Sequence, residues 1–310
     1  MTSVTPVPET RAMRGDELSA EDAWGVLRVH GGWRLARDSF VRMRDADGFA
    51  YSRAVGLQIS LAIIPLVVAL LGLSRFVGGE PGRVLDLTIH DVTPGASDRL
   101  LESTASGSES GGMLALALGL LGCVVALTGA MAEVERGANR LYGSAEDRDT
   151  RPRYARALLL ALTAGVPCLL GWLVMVGGEA VGDAVRGVYA WGGFAEWVWD
   201  AGRWPAGLLC AVAGFAVLFN RAPRRDQPSV SWLVFGGATT VSLWLVFTIA
   251  LATYVETSGM FGRTYGPLTG VVALLLWAYL SSVALFLGLS FTAQMEAVHS
   301  GRTALVPGDG

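Results

Sequence analysis

Ionisable and amide side chains set inside or beside long apolar runs must be satisfied by one another, by water or by a ligand. This sequence places a small set of them there: Gln58 and Ser60; Glu133, Arg136, Asn139, Arg140 and Tyr142; and Ser290, Thr292 and Gln294. Their types suit recognition of an anion, because a guanidinium pairs bidentately with phosphate. Together they form a candidate polar cavity. On a helix, Glu133, Arg136 and Arg140 share a face at i, i+3 and i+7. Ion pairing within the helix and a polar site completed by Asn139 and Tyr142 both fit that spacing. Covalent or metal chemistry has less to stand on. His30, His90 and His299 are scattered, and Cys123, Cys168 and Cys210 lie in apolar stretches without ligand spacing, where they read as small packing residues. No nucleophile-elbow glycine pattern surrounds a serine and no phosphate-binding loop is present. A nuclease needs carboxylates, histidines or an equivalent acid/base set in a wet pocket. The expectation is therefore no catalytic residue, no metal and no cofactor, and a protein that is not an enzyme.

The elements that carry these residues follow from composition. Of 310 residues, 52% are hydrophobic and 16% charged, against roughly 25% charged in soluble domains. Six apolar stretches, about 54–76, 113–132, 157–177, 204–219, 230–253 and 267–293, come near the ~20 residues that cross a hydrocarbon core. Backbone groups in lipid must be satisfied within the segment, so such stretches are helices. Runs such as "GVVALLLWAYL" do not alternate as barrel strands do. The expected fold is all-α, a polytopic membrane protein of six transmembrane helices.

All 24 basic residues are arginine. Eighteen fall in the head, in the loops after the second and fourth spans and in the tail; six (Arg75, Arg83, Arg99, Arg186, Arg203 and Arg263) fall on the other side. That asymmetry puts both termini in the cytoplasm. With no apolar h-region in the first 53 residues, the first span serves as the insertion signal. The expected organisation is a disordered lead (1–20), a cytoplasmic interfacial region (21–53), the six-helix domain (54–297) and a tail (298–310). In the interfacial region Trp24, Trp33 and Phe40 interleave with arginines, as in an amphipathic helix on anionic headgroups, with a break near Gly31 and Gly32. An ordinary positive-inside flank reads the same way.

Pro65 and Pro167 sit mid-span. Each removes a backbone donor, either as architecture or to line a polar cavity. Ala115, Gly119, Cys123 and Ala126 make a small face that lets a neighbouring helix approach. Between the last two spans Arg263, Thr264, Tyr265 and Gly266 precede Pro267 and Gly270, a capped re-entry turn or a gate at the outer mouth.

The "TYG" turn, the "LLLWAYLS" core with Trp277, and the "NRLYG" helix end resemble the YihY/BrkB family of bacterial inner-membrane proteins over roughly 30–297. The resemblance implies six inner-membrane helices with both termini inside and no settled activity. It implies that an older ribonuclease label is a misassignment, and suggested roles lean towards transport, including movement of envelope lipids. Where many members have "GAELNAE", this chain has "GLSFTAQ", with Ser290 at the usual glutamate and Thr292 at the usual asparagine. Gln294 and Glu296 are the nearest substitutes. The functional expectation is transport or handling of an envelope lipid or other anionic substrate through a polar cavity near the cytoplasmic leaflet. The alternative is a scaffold that recruits envelope machinery. Expected partners are membrane lipids, anionic phospholipid first, with an envelope protein or a homo-oligomer left open and nucleic acid excluded.

Overall fold

The computed structural model describes residues 6–8, 18–92, 109–144, 150–176, 178–189, 193–257 and 268–301. The lead's remaining residues, the tail from Arg302, and Arg263, Thr264, Tyr265 and Gly266 lie outside the described residues. Every described element is helical: α1 (Ala20–His30), α2 (Gly32–Asp45), α3 (Gly48–Val77), α4 (Gly79–Val92), α5 (Glu109–Tyr142), α6 (Thr150–Leu160), α7 (Val166–Val176), α8 (Gly178–Tyr189), α9 (Gly193–Arg221), α10 (Val230–Thr257) and α11 (Thr269–His299).

Five of these, α3, α5, α9, α10 and α11, are long and apolar enough to cross a membrane. The third apolar stretch differs from the single helix expected of it. A π-helical turn at Ala161–Gly165 separates α6 from α7. Pro167, one residue into α7, has no N–H to give the preceding turn and its ring crowds a carbonyl there. An extra residue in that turn is a common way to relieve both.

The described chain divides into two compact units. The first comprises residues 1–60, 128–165 and 212–310. Here α11 lies along α10 and against α2. The α10–α11 seam depends on two glycines. A Cβ on Gly236 would strike the Thr292 hydroxyl, and one on Gly288 would strike the Thr240 hydroxyl and come within 2.7 Å of the Gly236 carbonyl. Gly56 likewise lets α3 approach the α11 backbone at Tyr279: a Cβ there would lie only 2.9 Å from the Tyr279 Cα. At the start of this unit Gly31 (φ +84°) ends α1 and begins α2. Leu35, Ser39, Arg42 and Met43 form the buried stripe of α2, while Trp33 is 84% exposed and Arg34 and Arg37 are exposed beside it.

The second unit comprises residues 61–127 and 166–211. The small face of α5 does meet a neighbour: a Cβ on Gly119 would lie 2.7 Å from both the Pro65 carbonyl oxygen and the Ala69 Cα, and one on Gly122 2.7 Å from the Pro65 ring. The segments between the expected spans carry two further helices, α4 and α8, which pack on each other. Pro81 in the first turn of α4 and the i, i+4 pair Ala180 and Ala184 on α8 account for them locally. Ser74 also donates to the Asp86 carboxylate of α4 at 2.6 Å.

Candidate functional site

A buried polar cluster in the first unit forms where α2, the ends of α5 and α11, and the 222–229 loop converge. Its geometry begins with the "NRLYG" segment. Gly143 takes φ +73°, its N–H donates to the Arg140 carbonyl at 3.1 Å, and the Ser144 N–H donates to the Asn139 carbonyl at 2.9 Å. These two bonds are a Schellman ending, which favours glycine because an L side chain resists that φ. The ending turns Asn139 and Tyr142 towards neighbouring segments. The Asn139 side-chain oxygen accepts from the Arg224 N–H at 2.7 Å, and the Tyr142 carbonyl accepts from the Val7 N–H at 3.0 Å.

On α11, Ser290, Gln294 and Glu296 are buried. The first two, four residues apart, share a face with the α2 stripe. Ser290 donates to the Ser39 carbonyl at 2.6 Å. Arg42 donates through Nε to the Gln294 side-chain oxygen at 2.9 Å and through Nη1 to the Leu141 carbonyl at 3.0 Å. Burial lowers the Arg42 pKa to about 10, opposed by the negative charges of Tyr142 (when ionised) and Glu296.

Glu296 completes the cluster. One carboxylate oxygen accepts from the Tyr142 hydroxyl at 3.1 Å, and the other pairs with Arg225. The Arg225 and Glu296 side chains are 2% and 0% exposed. The Arg225 guanidinium also stacks over the Tyr142 ring, 4.5 Å from its centroid, and donates to the Val7 carbonyl at 3.4 Å. One ion pair thus ties together α5, α11, the 222–229 loop and the chain at Val7.

Such a cluster can hold charge, or release two guanidiniums if it opens. It presents no carboxylate to water. Among the described residues no group of three or more His, Cys, Asp or Glu could hold a metal ion. The sequence model of the family described as Virulence factor BrkB matches residues 39–307, a span that includes all these side chains except Val7. The chain belongs to the BrkB family. A ribonuclease-like protein by name, YfkH of Bacillus subtilis (strain 168), is 23% identical over 255 residues, which are 81% of this chain and 91% of the relative. UPF0761 membrane proteins of Xanthomonas campestris (strain B100) and Xanthomonas axonopodis (strain 306) are each 24% identical over 266 residues. That alignment takes in 83% of this chain and 60% of the Xanthomonas proteins' length. No solved structure matches.

All ten residues of the anticipated polar cavity lie in the first unit of this BrkB-family protein, but only four share the cluster: Asn139, Tyr142, Ser290 and Gln294. Thr292 bonds the Gly288 carbonyl at 3.1 Å and packs on Gly236. Gln58 packs against Gly129, and Ser60 bonds the Gly56 carbonyl at 2.9 Å. Glu133 and Arg136 pair within α5 at 2.9 Å, and Arg140 reaches Asp47 at 3.6 Å. Of the expected structural residues, Pro65 abuts Gly122, Trp277 donates to the Thr248 hydroxyl at 3.2 Å, and Gly270 faces open space. Arg42 and Arg225 were not anticipated. A signal for Arg42 exists, because it falls on the same helical stripe as Leu35, Ser39 and Met43.

Proposed function

We propose that this protein transports or handles an anionic envelope lipid in the bacterial inner membrane, and that the Arg225–Glu296–Tyr142 cluster closes the cytoplasmic end of its path. The observation that carries the reading is the Arg225–Glu296 pair, shut away from water at the end of a helix long enough to span the bilayer. Removing two charges from water costs several kcal/mol per ion before their attraction repays it, so such a pair is weak evidence for stability alone. Ionisable groups at spanning helices more often mark the working path. Opening this one would present Arg42 and Arg225 to a phosphate.

The topology belongs to the same proposal: six spans, with α6, the π-turn and α7 as the third, and both termini cytoplasmic. Its support is the eighteen-to-six distribution of arginine. Trp33 and Val29, 84% and 90% exposed and interleaved with Arg28, Arg34 and Arg37, support α1 and α2 lying on the headgroups. The ribonuclease-like name of the Bacillus protein finds no support in the cluster, whose Glu296 carboxylate is closed to water.

A scaffold reading is favoured by one observation: the cluster's groups are satisfied within the protein and the α10–α11 seam is tightly closed. The experiment that separates the two uses the purified full chain in liposomes with headgroup-labelled phosphatidylglycerol or phosphatidylcholine. Transport predicts that the protein exposes inner-leaflet phosphatidylglycerol to an external quencher at least about tenfold faster than protein-free vesicles, and phosphatidylcholine more slowly. Rates equal to those of empty vesicles for both lipids favour the scaffold.

A further inference from the structure

A second polar feature lies in the other unit and plays no part in the Arg225–Glu296–Tyr142 cluster. Along the N-terminal half of α9, Phe194, Val198, Trp199, Arg203 and Ala206 line a groove of about 580 Å³ with Val174 of α7. Trp199 is pinned by donating through its indole N–H to the Gly178 carbonyl at 2.7 Å, so the wall is fixed before any occupant arrives. Phe194 and Trp197 stack beside it with their rings 6.5 Å apart and stand 80% and 67% exposed. Aromatic side chains so placed suit the depth where headgroups meet hydrocarbon.

The groove is apolar except at Arg203, whose side chain is 12% exposed. Its Nη2 lies 3.4 Å from the Glu179 carboxylate, while its Nε and Nη1 are buried with no hydrogen-bond partner among the described residues. Glu179 itself is 75% exposed. The groove therefore ends in a sheltered cation with unused donors, and a wet anion stands next to it. That order, apolar to cationic to anionic, is the charge complement of a lipid whose phosphate lies deeper than its ammonium group.

We propose that this groove seats one phosphoethanolamine lipid. On binding, the Arg203 side chain turns into the groove, so that the phosphate accepts from its Nε and Nη1, which are buried and without a hydrogen-bond partner among the described residues. The ammonium group pairs with Glu179, and an acyl chain lies against Phe194, Val198 and Val174. A free phosphate would leave the apolar wall bare. A purely anionic lipid would meet Glu179 as a like charge, and a choline lipid offers that carboxylate no N–H donor.

The test is native mass spectrometry of the full chain in detergent, titrated with phosphatidylethanolamine, phosphatidylglycerol and phosphatidylcholine of identical acyl chains. The wild type should bind phosphatidylethanolamine most tightly, and Arg203→Gln should weaken that binding about tenfold, the effect of losing a hydrogen bond to a charged group. Glu179→Gln, at an exposed position that does not threaten folding, should erase the preference for phosphatidylethanolamine over phosphatidylglycerol. Ala206→Trp, which fills the groove from an exposed helix position, should remove the specific adduct. Equal binding of the three lipids by the wild type, or a preference that survives Glu179→Gln, would overturn the proposal.

Discussion

Glu296→Ala leaves the Arg225 guanidinium buried over Tyr142 without its carboxylate, and the protein is expected to lose about 3–5 kcal/mol of stability. The loss is large because the carboxylate accepts from both Tyr142 and Arg225, so deletion strands a cation and a hydroxyl together. Thermal or denaturant unfolding in detergent, followed by the change in tryptophan emission, measures it. Glu296→Gln keeps an acceptor for Tyr142 and should lose less. Replacing both partners, Arg225→Met with Glu296→Met, removes the stranded charge along with the pair and should recover most of the loss. A single Glu296→Ala variant within about 1 kcal/mol of wild type would mean that the pair does not hold these segments together.

The other large effect is expected at the α10–α11 seam. Gly288→Leu puts a branched side chain where even a Cβ would strike the Thr240 hydroxyl and crowd the Gly236 carbonyl, which a Cβ meets at 2.7 Å. Backbone cannot yield as a flexible side chain does, so the helices must part. Overpacking typically costs 1–3 kcal/mol, and more when backbone has to move. The same holds for Gly236→Leu, which meets Thr292 and Phe219. Size-exclusion profiles and protease resistance of the solubilised protein should show mostly misfolded material for both. Gly270→Ala is the control: it is on the same helix, with nothing within 4 Å of its added Cβ, and it should fold as wild type or slightly better, given alanine's higher helix propensity. If Gly288→Leu behaves like Gly270→Ala, the close approach of α10 and α11 is wrong.

Much of the helical frame was legible because lipid leaves the backbone few options. Five apolar stretches became single long helices. The third did not: hydropathy averages over the residues around Pro167 and carries no information on how the preceding turn accommodates a missing donor. Helices α4 and α8 were also missed, since acidic, glycine-containing segments between spans resemble loops when each is read without its partner.

The candidate site was legible in part for similar reasons. The "NRLYG" segment encodes its own helix ending locally, so Asn139 and Tyr142 could be singled out. Glu296 is the one charged residue between Thr264 and Gly301, which made it visible as a substitute for the missing glutamate. Which of Arg224 and Arg225 turns inward depends on a loop conformation set by Asn139, Val7 and Glu296 together, and no short-range pattern records that. Thr292 shows the opposite failure. Its hydroxyl suggested a polar lining, whereas it bonds its own helix and fills the space left by a glycine opposite.

In the proposed function the Arg225–Glu296–Tyr142 cluster acts as a latch that opens during transport. The most direct measurement of that opening is anionic-lipid movement in liposomes with the latch chemically held shut. Cysteines placed at 225 and 296, in a chain whose Cys123, Cys168 and Cys210 are replaced by alanine, would be bridged with a short reagent bearing two thiol-reactive groups joined by a reducible link. Phosphatidylglycerol movement is expected to stop on bridging and to return on reduction. Movement that continues at the unbridged rate through a fully bridged protein would contradict it.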